Sequence, residues 1–291
     1  DPVSVTDNTG VSSLINDING TNSLAGEVFT TGVTTITWTA TDTDLNTSSC
    51  SFDVTVSDNE APTTPTLADV TGECTATATA PTTTDNCSGT ITGTTTDPLT
   101  YNTQGTYVIT WNFDDGNGND IDVTQNVIIS DVTPPVTPTL ADVTGECTAT
   151  ATAPTTTDNC AGTITGTTTD ALTYSTQGTY VITWNFDDGN GNDIDVTQNV
   201  IISDVTPPTT PTLADVTGEC TATAVAPTTI DACAGTITGT TADALTYSTQ
   251  GTFVITWNFD DGNGNDIDVT QNVIISDVSP PVTPTLSDVT G

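Results

Sequence analysis

Residues 105–113, GTYVITWNF, set Tyr107, Ile109, Trp111 and Phe113 on one phase and Val108, Thr110 and Asn112 on the other. A period of two marks a half-buried strand. DIDVTQNVIIS (120–130) puts Ile121, Val123, Val127 and Ile129 in one phase with Gln125 among them. An inward Gln needs a hydrogen-bond partner. ECTATATA (73–80) alternates Cys74, Ala76, Ala78 and Ala80 with threonines. No segment has a helical period, and Thr and Val favour strands. The expected strands are 64–70, 73–80, 89–95, a weak one near 98–102, 105–114 and 120–130. Short strands separated by turn signals make an all-β sandwich.

The pattern recurs. Trp38, Trp111, Trp184 and Trp257 are each 73 residues apart, and the Cys74/Cys147/Cys220 and Cys87/Cys160/Cys233 series keep the same step. The chain reads as a tandem array. The expected domains are 1–60 (the C-terminal part of a truncated unit), 61–133, 134–206 and 207–279, with 280–291 supplying the first strand of another. Gly291 is Gly72 plus three periods, so both ends are expected to fall inside a unit of a longer array, and a missing signal peptide says nothing about secretion. Units 61–133 and 134–206 differ at few places, among them Ser88/Ala161, Pro98/Ala171 and Asn102/Ser175. Near-identical copies suit a part whose value lies in number. The junctions, such as ISDVTPPVTPTL (129–140), are rich in proline, which fixes φ and keeps a segment extended. Units standing end to end as a rod are expected, each adding about 30–40 Å.

A unit this small has a thin core and needs a further constraint. Cys74 and Cys87 are 13 residues apart, as are Cys147 and Cys160, and Cys220 and Cys233. A disulfide within each unit is the expectation, worth about 3 kcal/mol by loop closure. Zinc fits poorly, because there is no His and no second Cys pair per unit. Disulfides imply an oxidising, extracellular setting. Cys50 falls at the position of Val123 and is expected to point inward, either bonded to a cysteine upstream of Asp1 or as a buried free thiol.

Composition then narrows function. The 291 residues include 37 Asp and Glu and no Lys, Arg or His, for a formal charge of −37. A catalytic triad, a Schiff-base lysine and an arginine phosphate clamp are therefore impossible, and only carboxylate-pair chemistry survives. The reading is not an enzyme. Nucleic acid is excluded as a partner, since its recognition rests on Lys and Arg. Anionic membranes repel such a chain, and no apolar run approaches the roughly 20 residues of a membrane span, so membrane insertion is not expected. Cations remain attractive, above all hard ones that prefer oxygen ligands.

Residues 32–62, GVTTITWTATDTDLNTSSCSFDVTVSDNEAP, resemble the end of a hyalin repeat, with Cys50, Phe52, Val54 and Val56 in its "C-x-F-x-V-x-V" ending. The full units keep TDNC at 84–87 and 157–160 and DGNGN in the later turn, but have Val123, Val196 and Val269 in place of the late cysteine. They are similar to tandem repeats of very large secreted surface proteins of Bacteroidetes, including adhesins linked to gliding. The resemblance implies immunoglobulin-like modules, extracellular location and a stalk role.

NFDDGNGNDIDVTQ occurs at 112–125, 185–198 and 258–271 and offers two readings. As a calcium loop its candidate ligands are Asp115, Asn117, Asn119 and Asp122, then Asp188, Asn190, Asn192 and Asp195, then Asp261, Asn263, Asn265 and Asp268, with Asp42, Asp44 and Asn46 in the first unit. It is no EF-hand: Asp120 stands where Gly is required and Asn126 where Glu is required. As a hairpin turn, Gly and Asn supply residues that tolerate positive φ. The junctions SDNEAP (57–62) and SDVTPP (130–135) are similar to the acidic, proline-ended linkers of calcium-rigidified cadherin arrays, which adds Asp131, Asp204 and Asp277 as candidates.

Two functions follow. One is an extender that holds an adhesive tip, with a surface or glycan ligand, away from the cell, its partners being neighbouring repeats and other copies in a fibre. The other is a binding module with a weak carbohydrate or surface site per repeat, gaining by avidity. Exposed aromatics discriminate, and in unit 61–133 Tyr101 is the one aromatic outside the inward phase.

Overall fold

The computed structural model describes residues 1–2 and 4–287, and every regular element in them is a strand. The chain divides into two compact units, Asp1–Asp131 and Val132–Gly291.

In the first unit, residues 1–60 form one antiparallel sheet of β1 (Val11–Asn16), β2 (Gly32–Asp42) and β3 (Thr47–Val56), in the order β1-β2-β3. Ile36 and Trp38 are buried on it. Residues 61–131 add β4 (Val70–Gly72), β5 (Ala76–Thr77), β6 (Thr82–Asp85), β7 (Gly89–Thr92), β8 (Thr100–Tyr101), β9 (Gly105–Asp114) and β10 (Asp120–Ile129). These form a β4-β10-β9 sheet and the pairs β5-β8 and β6-β7, a sandwich-like arrangement. Its core is Ala76, Ala78, Ile91, Ile109, Trp111, Phe113, Val127 and Ile129.

The long hairpin matches the expected 105–114 and 120–130, because its alternation is carried by large side chains. The others are shorter or displaced. The expected strand at 64–70 appears only at Val70–Gly72, since Pro65 lacks the donor a ladder needs. The β6 strand was not expected, because its residues are all polar, yet Thr83 and Asp85 face inward. Gln125 finds its partners. The Trp111 Nε1–H donates to Gln125 Oε1 at 3.0 Å, and Gln125 Nε2 donates to the Ala68 carbonyl at 2.8 Å. In the first sheet Phe52 stands 73 residues before Gln125, and the buried Trp38 Nε1 has no partner.

Direction matters most. β4 runs parallel to β10, pairing Gly72 with Ile129, so the chain leaves β4 at the end where β10 also leaves. Ser130 N donates to the Gly72 carbonyl at 3.0 Å, and Gln104 bridges the Glu73 carbonyl (2.9 Å) and the Asp131 N–H (2.8 Å). A Cβ on Gly72 would lie 2.1 Å from the Thr75 carbonyl oxygen, so the tight bend there requires glycine. That bend sets Cys74 at the C-terminal end of the repeat.

The second unit holds the same arrangement twice. Val143–Gly145 lies parallel to Asp193–Ile202, which pairs with Gly178–Asp187; Val216–Gly218, Asp266–Ile275 and Gly251–Asp260 repeat it. Trp184 and Trp257 are 1 % exposed in equivalent cores. By the 73-residue step, the first strand expected at 64–70 recurs at 283–289; residues 283–287 form no strand, and 289–291, the counterpart of Val70–Gly72, lie outside the described residues.

Candidate functional site

The DDGNGND loop is a hairpin turn organised by its second aspartate. The Asp115 N–H donates to the Asn119 carbonyl at 3.1 Å, closing the turn. Asp115 Oδ1 accepts the N–H groups of Asn117 (2.8 Å) and Asn119 (3.1 Å), and Oδ2 accepts Asn119 Nδ2 (2.6 Å). Gly116 and Gly118 take φ of 79° and 103°. Desolvation opposes ionisation of Asp115, and the Asn119 amide with the neighbouring N–H groups outweighs it, so the carboxyl sits below its usual range. Asp188 and Asp261 show the same balance. The first unit builds the same turn without glycine. Asp42 Oδ1 accepts from Asp44 N and Asn46 N at 2.8 Å each, and Leu45 takes a φ of 69° where the full units have Gly118. The oxygens at alternate positions therefore have a structural reason to recur.

The remaining sequence candidates separate. Asp122 lies across from Asn112 within the hairpin and accepts its Nδ2 at 3.0 Å, as Asp195 does from Asn185 and Asp268 from Asn258. Asp131 is 6 % exposed beside Gln104. Asp277 is exposed and accepts the Ser279 N–H at 3.0 Å. Asp58 and Asp204 do meet a loop. Asn117 Nδ2 donates to Asp58 Oδ2 at 3.1 Å and Asn119 Nδ2 to the Asp58 carbonyl at 3.4 Å. Asn263 and Asn265 treat Asp204 the same way, at 3.1 and 3.2 Å. The tip of one repeat's hairpin thus grips the last aspartate of the repeat before it.

Sequence reasoning missed a third participant, the aspartate of the TDNC turn. Asp85 Oδ1 accepts the N–H groups of Cys87 and Ser88, both at 2.8 Å, and Gly89 at φ 77° completes the tight β6–β7 turn. Ser88 Oγ donates to the Asp115 carbonyl at 2.8 Å, which ties this turn to the hairpin tip. Asp231 repeats the arrangement with Cys233 and Ala234. Asp58, Asp85 and Cys87 offer ligand atoms within 4.8 Å of one another, as do Asp204, Asp231 and Cys233. One sequence signal was present: TDNC becomes IDAC (230–233) in the last full unit, so its Asn is replaced by Ala232 and its Asp is kept.

The cysteines do not pair as their spacing suggests. Cys147 bonds Cys233, 86 residues on and in the next repeat, with Cα atoms 4.9 Å apart. Cys74 and Cys160 are also in disulfides, whereas Cys50, Cys87 and Cys220 are free and exposed. Fold direction forbids the expected pairing within a unit. Cys74 sits at the C-terminal end of its repeat and Cys87 at the hairpin-tip end, with the ten-residue β10 between. That is about 30 Å at 3.3 Å per residue, whereas a disulfide needs Cα atoms within roughly 7 Å. Cys50 faces Trp38 in the β2–β3 register but is exposed rather than inward, residues 1–60 having no second described sheet to cover it.

Residues 1–56 match the family model of the HYR domain. The match falls on the part of the chain that carries the late cysteine, and the HYR segment ends just before Asp58. No curated protein matches the chain. Among solved structures, a Ca2+-stabilized adhesin that helps an Antarctic bacterium reach out and bind ice is 19% identical, covering 84% of this chain and 81% of that one at a TM-score of 0.28. Drosophila N-cadherin EC1-4 is 10% identical (93% and 90% covered, TM-score 0.26). Protocadherin gamma B2 extracellular cadherin domains 3-6 are 13% identical (84% of each chain, TM-score 0.26). At these scores no site or ligand is carried over from them.

Proposed function

We propose that the chain is a stretch of extender repeats from an extracellular adhesin or filament, with units 61–133, 134–206 and 207–279 as its building blocks. It holds a tip with a surface or glycan ligand away from the cell. The observation that carries this reading is the Cys147–Cys233 bond, which joins two consecutive repeats covalently. A loop of that length is worth about 4.5 kcal/mol in the chain-entropy model, against about 3 for a bond within one unit. Its mechanical consequence is larger. Tension applied to the chain ends passes through the bond, and the residues between the two cysteines cannot be drawn out. Disulfides suit an oxidising, extracellular compartment, and no described helix is long and apolar enough to cross a membrane.

The binding-module reading loses support from the aromatics. In the full repeats every Trp, Tyr and Phe is buried or half-buried. Tyr101, the spare ring, stacks on Tyr107 with centroids 4.3 Å apart, and the Tyr107 hydroxyl donates to the Thr103 carbonyl at 3.0 Å. Sugar platforms need open ring faces. No catalytic role is proposed.

The test is single-molecule extension of the chain from its two ends. Without reductant, the 86-residue stretch stays hidden; opening the Cys147–Cys233 bond releases about 300 Å at full extension, and reduction of the disulfides of Cys74 and Cys160 can only add to that length. Equal lengths in both conditions would remove the basis of the extender reading.

A further inference from the structure

We propose that Asp204 and Asp231 form a site for a hard divalent cation of the calcium type at the junction of two repeats, and that Asp58 and Asp85 form a second one. The proposal does not depend on the extender reading.

The acidic cluster alone would not carry it. The deciding observation is an oxygen without a partner. Asp231 is 4 % exposed; its Oδ1 accepts the N–H groups of Cys233 (2.7 Å) and Ala234 (2.8 Å), whereas its Oδ2 is buried with no hydrogen-bond partner. Asp85 is 9 % exposed, and its Oδ2 is likewise buried and unpartnered. Asp158, at the same place in the intervening repeat, leaves its Oδ2 in the same state. Buried polar atoms almost always find partners, so an unpartnered carboxylate oxygen that recurs at one position of each repeat points to a ligand there.

The electrostatics agree. Asp231 and Asp204 bring carboxylate oxygens within 4.8 Å of each other, and Asp204 is 6 % exposed. Two buried like charges at that range repel unless a cation lies between them. The protein has no Lys, Arg or His to serve, so the neutralising charge must come from solution.

Donor chemistry selects the cation. Cys233 belongs to the cluster, but its sulfur is bonded to Cys147 and cannot act as a thiolate. The donors left at Asp204 and Asp231 are oxygens, which suit calcium rather than zinc or copper, and Asp58 and Asp85 present the same pair of carboxylates beside the free Cys87. Asn263, whose Nδ2 lies 3.1 Å from Asp204 Oδ2, would turn its amide to present Oδ1, and water would complete the shell.

The test is calorimetric titration of the chelator-treated full chain with calcium chloride at fixed ionic strength, beside thermal unfolding. Saturable binding is expected, with Kd of about 10⁻⁴–10⁻³ M. Tm should rise by about 5–10 °C at a hundredfold excess over Kd. Asp231→Asn and Asp85→Asn should each lower the stoichiometry by one. Asn keeps the Oδ1 acceptor of the turn, and unchanged tryptophan fluorescence would show that the fold survives; Asp204→Asn, outside that turn, should remove the same site as Asp231→Asn. Absence of saturable heat, a Tm that follows ionic strength alone, or full stoichiometry in Asp231→Asn together with Asp204→Asn would overturn the proposal. None of these results depends on the disulfide, so the extension experiment can fail or succeed separately.

Discussion

The junctions at Asp58 and at Asp204 are held by the same polar contacts and differ in covalent closure. In both, two loop asparagines hold the aspartate and an Asp-centred turn presents a cysteine beside it. At Asp204 that cysteine is bonded to Cys147 of the repeat before; at Asp58 it is the free Cys87. The difference lies in what the preceding unit supplies. Residues 134–206 carry a Gly145–Cys147 bend that delivers a thiol at their C-terminal end. Residues 1–60 carry only Cys50, eight positions before Asp58 along an extended strand, or about 25 Å away. At the Asp58 junction, lost hydration and then the charges of Asp58 and Asp85 push the Cys87 thiol up, which favours its protonated form. A shared polar interface can therefore exist with or without the staple.

The sharpest break in the comparison is removal of the staple. Cys233→Ala should lower the stability of the second unit by about 4 to 5 kcal/mol in denaturant unfolding and leave residues 1–131 unchanged. Thiol titration of the intact chain tests the pairing directly. Three reactive thiols are expected, Cys50, Cys87 and Cys220, whereas pairing within units would leave only Cys50.

Next in size is the bend that aims the cysteine. A Cβ on Gly145 would lie 2.1 Å from the Thr148 carbonyl oxygen, a backbone atom that cannot swing aside. Gly145→Ala should cost about 1–3 kcal/mol as an overpacking change and displace Cys147. The thiol count should then rise from three toward five. A count that stays at three would show that the bond tolerates a shifted bend.

How much of this could be read beforehand depends on what each signal encodes. Tyr107 through Phe113 alternate as large side chains, so the β9–β10 hairpin was legible to within a residue. Thr83 and Asp85 alternate too, but as polar residues, and β6 was invisible. The 13-residue cysteine spacing measured separation along the chain, while pairing depends on which end of the fold each thiol reaches. That required knowing that β4 runs parallel to β10. Asp85 was read only as part of the TDNC run of the hyalin resemblance; its unpartnered oxygen is a property of burial, which sequence does not display.

The tryptophans offer a smaller test of the same contrast. Trp184 Nε1 donates to Gln198 at 3.0 Å, whereas Trp38 in the HYR segment has no acceptor. Gln198→Leu should leave the second tryptophan in the first one's condition and cost about 1–2 kcal/mol. Phe52→Gln should recover part of that stability for the HYR segment.

The smallest effect expected lies in the hairpin turns, which both kinds of unit close through an aspartate. The Asp42 carboxyl is held below its ordinary value chiefly by the Asn46 side-chain amide, and Asp115 by the balance already described. Because the folded-state values are depressed, the unfolded chain takes up protons first as pH falls. The stabilisation is present above the ordinary value of 3.8 and disappears as pH drops through the lower folded-state value, so acid unfolding should weaken both turns alike. Their backbones differ. Leu45 occupies the left-handed region at φ 69° and is 79 % exposed, whereas its counterpart is Gly118. Leu45→Gly removes a strain of about 1 kcal/mol and gives up little packing, so Tm of the HYR segment should rise slightly. Gly118→Leu should cost the full units a similar amount. If Leu45→Gly lowers Tm instead, the entropy of the unfolded glycine outweighs the strain, and the hydrogen bonds that the Asp42 carboxylate accepts suffice to hold the turn.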